Sequence, residues 1–261
     1  MPLSISYRMI TEKAFFNQTF VENKSDMKMF YTLLIVGIAT VLLVTSGTFT
    51  NQINLQIHPN SFVNGLAKYQ IFALAVGILV AISILILSPD SKRFLNIGQL
   101  NIIAEKEKWL GINGKSSWKV NGLQRLFFVS IATGIFMFLA VKYTNSIDNF
   151  QWSFIPLVLL FSLTNSLAEE LIFRFGIVGG LFNHYPKLAI LIISAILFGL
   201  PHFFSFPNGV IGVLMSGVLG YILCRATIET EGLSIAWTIH FVQDIIIFTA
   251  LMMMNLKQNT F

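Results

Sequence analysis

The sequence predicts an all-α, polytopic integral membrane protein of about seven transmembrane helices, with a helical core in its C-terminal half. Three observations predict it. Hydrophobic residues make up 55% of the 261 residues and charged residues only 11%, and the mean hydropathy is +0.73. A soluble globular protein carries roughly 25% charged residues, so this chain has too few to cover a water-facing surface. The apolar residues fall in long blocks of about 20, the length that crosses a bilayer as a helix. Finally, the basic residues collect on alternate connections between those blocks.

In chain order, residues 1–28 are polar and mixed in charge, and read as a cytoplasmic N-terminal segment. A cleavable signal peptide would place its apolar core there, so the first apolar block is expected to act as an uncleaved signal anchor. Spans are expected at roughly 29–47, 69–88, 124–142, 152–182, 187–204, 208–225 and 232–255. The first two and the basic connection after them form one region, 29–123; the core occupies 124–256. That connection contains "KEKWLGINGKSSWK" and predicts a basic loop with a short interfacial piece. The fourth block is long for one crossing. A tilt, an extramembrane part or a break near Gly176, Gly179 and Gly180 is expected.

With the N-terminus inside, the inner segments hold Arg8, Lys13, Lys24, Lys28, Lys92, Arg93, Lys106, Lys108, Lys115, Lys119, Arg125, Lys187 and Arg225. The outer ones hold Lys68, Lys142 and Lys257. Thirteen against three fixes an N-in, multi-pass protein of the cell membrane, and the size and short loops suit a bacterial one. The net charge of +5 and pI near 9.4 do not imply nucleic-acid binding, because the basic residues lie between apolar spans rather than on a soluble patch. Cys224 is the single cysteine, which excludes a disulfide framework and a cysteine-based metal site. The partner implied by this pattern is the lipid bilayer. The sequence specifies no oligomeric state.

Spans one to three have no ionisable residue in their interiors. Spans four, five and seven carry Glu169, Glu170, Arg174, His202, His240 and Asp244. Charges inside a membrane are costly and mark functional sites; the bland alternative is a polar network tying helices together. The turn "NHYPK" joins spans four and five. Glu169 and His202 lie 16 and 17 residues from Tyr185 on its two sides, or about 25 Å at the helical rise, hence at one depth. His240 and Asp244 are four residues apart on one helix face. Glu170 and Arg174 have ion-pair spacing. Glu169, rotated by about 100° from Glu170, is left free to work, although a Glu169–Arg174 pair is also within reach.

A carboxylate and a histidine around one water make a general base, and a second histidine with a polar neighbour can stabilise an oxyanion. Glu169, His202 and His240 could instead bind a divalent metal such as zinc, which would lower the pKa of its water. Either route hydrolyses a peptide bond within the membrane. Serine chemistry is disfavoured: Ser162 and Ser166 lack a glycine-rich setting, and neither G-x-S-x-G nor H-E-x-x-H occurs.

The residues "EELIFR" (Glu169, Glu170, Arg174), "FGLPH" (Phe198, His202) and "HFVQD" (His240, Asp244) occur in that order on successive apolar helices. The pattern resembles the CAAX protease and bacteriocin-processing family, also called Abi, over about residues 150–250. The resemblance implies an intramembrane endopeptidase of glutamate or metallo type. Its substrate would be a prenylated CAAX-like protein, a leader peptide or an anchored regulator. By the resemblance, Glu169 activates water with His202, while His240 and Asp244 act as oxyanion stabilisers or metal ligands. Asp244 departs from eukaryotic relatives, which carry asparagine; an ionised aspartate cannot donate a hydrogen bond.

The remaining features have plain readings. Phe198 packs, and can shape the site by stacking on His202. Pro201 kinks span five. His58 and His184 are solvated loop residues, and Glu229 and Glu231 an exposed loop pair. Gly209, Gly212, Gly217 and Gly220 serve close helix packing. Two other functions fit an intramembrane charge cluster. One is a non-catalytic partner conferring immunity or regulation; the other is a proton-coupled transporter, against which the lack of an inverted repeat weighs.

Overall fold

The computed structural model describes residues 25–205 and 208–256. The expected cytoplasmic segment 1–28 therefore lies almost wholly outside the described residues. Among the described residues, six helices are long and apolar enough to cross a membrane: Ser25–Val44, Ser61–Leu87, Trp118–Tyr143, Trp152–Leu181, Gly209–Thr230 and Ser234–Asn255. A shorter apolar one spans Lys187–Phe203. They coincide with the seven expected blocks. We label the helices α1 (Ser25–Val44), α2 (Ser46–Thr50), α3 (Ser61–Leu87), α4 (Trp118–Tyr143), α5 (Ile155–Glu169), α6 (Gly176–Leu181), α7 (Lys187–Gly199), α8 (Gly209–Thr230) and α9 (Ser234–Leu256).

Each long helix turns small or branched residues inward and large aliphatic ones outward. On α3, Ala73, Val76, Val80 and Ile84 are buried, whereas Ile71, Ile78, Ile82 and Ile86 are exposed. Such an outward apolar face suits lipid, where packing rather than water exclusion holds helices together. One buried cluster joins α1, α3 and the α5–α6 segment through Val36, Val80, Ile84, Ile172 and Phe175. Gly180 is required there: a Cβ at this position would meet Thr32 Oγ1 at 2.2 Å. Gly220 lets α8 lie on α7, where a Cβ would come 3.1 Å from Phe198.

The break in the long fourth span is one turn earlier than the glycines. Residues Glu170–Phe175 form a π-helical turn between α5 and α6. Gly176, Gly179 and Gly180 instead admit α1 and α3, with Val36, Ile84 and Thr32 against them. A single π turn inserts one extra residue and re-aims the side chains it carries. Here it carries the Glu170–Arg174 motif.

The connection 88–117 folds back on the ends of α7, α8 and α9. Short antiparallel bridges pair Ile103 with Ser117 and Glu107 with Ile112. Leu110, Ile112 and Trp118 pack on Ala226, Ile235 and Ala236. This overturns the reading of Glu229 as exposed. Its carboxylate accepts from Trp118 Nε1 (2.6 Å), Lys187 Nζ (2.6 Å) and the Glu105 N–H (2.9 Å), and pairs with Arg225 Nε at 2.8 Å. Arg225 also pairs with Glu107. Glu231 is partly exposed and faces Arg93 at 3.7 Å. His58 and His184 are half-buried rather than fully solvated. His58 Nδ1 accepts from the Asn60 N–H at 3.0 Å. The ring of His184 is held below its ordinary pKa by burial and then by Lys28 at 3.2 Å.

Candidate active site

The helices α3, α4, α5, α8 and α9 enclose a cavity of about 820 Å³. Its walls are mostly apolar, with Phe128 and Ala132 of α4 facing Leu214 and Val218 of α8. Phe128, Leu214 and Val218 are also exposed on the outer surface, so the cavity reaches the lipid-facing side between those helices. One region of the wall is polar: Asn165, Glu169, His202, His240, Gln243 and Asp244 all line it.

The two adjacent glutamates part ways at the π turn. Glu169 lines the cavity, 9% exposed, whereas Glu170 and Arg174 are both 0% exposed and lie behind it. Glu170 Oε2 is 3.3 Å from Arg174 Nε, and its Oε1 accepts from His240 Nδ1 at 2.7 Å. The guanidinium stacks on the Phe198 ring at 3.9 Å. A buried cation in this position is held by its carboxylate and by the ring face.

His240, from α9, turns its other nitrogen toward the cavity carboxylates. Nε2 is 3.5 Å from Glu169 Oε2 and 3.8 Å from Asp244 Oδ1. The amide of Asn165 bridges these two acids, donating to Glu169 Oε1 at 3.2 Å and Asp244 Oδ2 at 3.0 Å. Asn165 escaped the sequence reading. The signal was present, since it lies one turn before Glu169 on the same face of α5. It ties the two acids into one network in which each accepts a hydrogen bond.

His202 sits in the 3₁₀ turn Leu200–Phe203 that ends α7. In such a turn the Phe198 carbonyl would accept from residue 201, which is proline and has no N–H. His202 Nδ1 occupies that place at 2.8 Å. A carbonyl only accepts, so Nδ1 carries the proton and Nε2 presents its lone pair to the cavity. The hairpin count expected Glu169 and His202 at one depth, and both line the one cavity. His240 approaches Glu169 as well, at 3.5 Å. Phe198 is the centre of the arrangement, with its ring centroid 4.9 Å from that of His202, 5.6 Å from that of His240 and 5.3 Å from that of Phe173.

Both histidines have the outer hydrogen bond that metal-ligating histidines use. Glu169, His240 and Asp244 approach one another, but among the described residues no group of three or more His, Cys, Asp or Glu side chains has the spacing to hold a metal ion.

Residues 151–246 match a family model. That family is the Rce1-like type II CAAX prenyl endopeptidases. The matched segment begins just before α5, ends in α9, and contains every polar residue named above. It bears out the resemblance read from the three motifs and leaves α1 to α4 outside. No curated protein and no solved structure matches the chain.

Proposed function

We propose that the chain is an intramembrane endopeptidase that hydrolyses a peptide bond of a membrane-associated substrate, prenylated or otherwise lipid-held, with Glu169 as the base. The observation that carries this reading is the division between the glutamates: one faces an apolar cavity beside two histidines, and its neighbour is sealed behind with Arg174. The family match supports the reaction class. The N-in orientation belongs to the same proposal, because the basic connection 88–117 and the turns at 182–186 and 231–233 gather at one end of the bundle through Arg93–Asn183, Arg93–Glu231 and Lys187–Glu105 contacts.

A substrate entering between α4 and α8 brings its backbone against the polar wall. Water lodged between Glu169 and the lone pair of His202 Nε2 is deprotonated as its oxygen attacks the carbonyl carbon. Charge then develops on the carbonyl oxygen. On collapse the C–N bond breaks, and the proton held by Glu169 passes to the leaving amine. Glu170 acts through His240, fixing its ring and tautomer as a carboxylate does behind a catalytic imidazole. Asp244, hydrogen-bonded by Asn165 and facing His240, orients the same ring.

The test is cleavage of an internally quenched, farnesylated CAAX-type peptide by purified protein in proteoliposomes, run in ¹⁸O-labelled water. The expected product carries one ¹⁸O in its new carboxyl group, with none formed by Glu169→Gln. Cleavage by Glu169→Gln at the wild-type rate, or none by the wild type, would overturn the reading in favour of a binding scaffold.

A further inference from the structure

An oxyanion at the scissile carbonyl needs a hydrogen-bond donor that faces the cavity, lies near the catalytic acids and has a hydrogen to spare. Most polar groups of the site fail one of these conditions. Glu169 serves as the base and so accepts, and the Asp244 carboxyl is engaged by Asn165 at 3.0 Å and faces His240 at 3.8 Å. Asn165 spends both amide hydrogens on these two acids, at 3.2 and 3.0 Å. Gln243 donates to Ser130 Oγ at 3.0 Å and to the Ile239 carbonyl at 3.3 Å. Arg174 lies behind the wall.

Tyr69 meets all three. It lines the cavity from α3, and its hydroxyl lies within the electrostatic reach of both Glu169 and Asp244. Among the described residues that hydroxyl has no hydrogen-bond partner. Its position is fixed by the contact of α3 with α5. The next residue, Gln70, accepts from Thr164 Oγ1 at 2.9 Å, and Gly77 brings α3 against the Ala168 backbone, where a Cβ would sit 3.0 Å from the carbonyl oxygen. These two contacts bracket the turn of α5 that bears Asn165 and approaches Glu169. Tyr69 lies outside the matched segment 151–246, so the site draws on the N-terminal half of the chain.

We propose that Tyr69 is a further catalytic residue, whose phenolic O–H donates to the oxygen of the scissile carbonyl and stabilises the oxyanion of the tetrahedral intermediate. The proposal rests on the endopeptidase reading. No proton leaves the phenol: the O–H bond persists while water oxygen adds to carbon, and the hydrogen bond strengthens as the oxygen gains charge. It relaxes when the C–N bond breaks and the carbonyl re-forms. A neutral phenol suits a site that already holds several carboxylates, because it adds a donor without adding a charge.

The experiment compares wild type, Tyr69→Phe and Glu169→Gln on the farnesylated, internally quenched CAAX-type peptide, with thermal melts of each. The expected result is a fall in kcat of about 100-fold for Tyr69→Phe, the cost of one oxyanion donor, with KM and melting temperature unchanged. Tyr69→Phe at the wild-type rate beside an inactive Glu169→Gln overturns this proposal alone. Equal rates for wild type and Glu169→Gln overturn the endopeptidase reading with it. Should Tyr69→Phe fail to fold, 3-fluorotyrosine at position 69 decides. A displaced alkaline limb of the rate profile supports donation by the phenol, and an unmoved profile refutes it.

Discussion

Replacing Glu170 by glutamine removes one charge and almost no volume, at a carboxylate that is 0% exposed and 3.3 Å from an equally buried guanidinium. Removing one partner of a buried ion pair costs about 3–5 kcal/mol, because the other charge stays buried without compensation. The stacking of Arg174 on Phe198 at 3.9 Å is the same before and after, so it offsets nothing. The substituted amide can still accept from His240 Nδ1 through its carbonyl oxygen, which puts the loss near the lower bound, about 3 kcal/mol. For a chain of this size that is a fall of about 6–12 °C in melting temperature. The assay is a thermal melt of the purified variants in one detergent. Arg174→Met should lose a similar amount alone, and the double variant should lose less than the two single losses added. Glu170→Gln melting with the wild type, or strictly additive losses, would refute the claim that this pair is a structural unit behind the site.

Three further outcomes follow from the packing and the donor geometry. Gly180→Val should destabilise by about 1–3 kcal/mol through its clash with Thr32, read by the same melt, and Thr32→Ala should recover part of that loss. Glu229→Ala strips four donors of their acceptor, so limited proteolysis should cut the connection 88–117 faster than in wild type while the helices persist. Zinc chelators should leave the cleavage rate unchanged, because the proposed mechanism activates water with Glu169 and His202, which both line the cavity. Loss of activity restored by added zinc would contradict that.

The membrane fold was legible because length and apolarity are set by the bilayer itself. The seven blocks therefore lie where the helices are, and each of the three motifs places a residue on the wall of one cavity. What the sequence hid is what depends on neighbours. A strict α-helical phase separates Glu169 from Glu170 by rotation, but the π turn that begins between them is not written in any residue type. Tyr69 looks like an ordinary span residue until α3 is laid beside α5, and the stacking expected between Phe198 and His202 gave no hint of its second contact, with His240. Glu229 lies in a polar stretch and reads as solvated; only the folded-back connection buries it. Asn165 was recoverable from its four-residue offset to Glu169.

The central claim is that Glu169 activates the water and Glu170 does not. The direct measurement is the single-turnover cleavage rate and melting temperature of Glu169→Gln, set beside those of Glu170→Gln. The account predicts that Glu169→Gln abolishes cleavage while melting with the wild type, and that Glu170→Gln melts well below it. Glu169→Gln cleaving at the wild-type rate, or losing activity only because it no longer folds, would contradict the account.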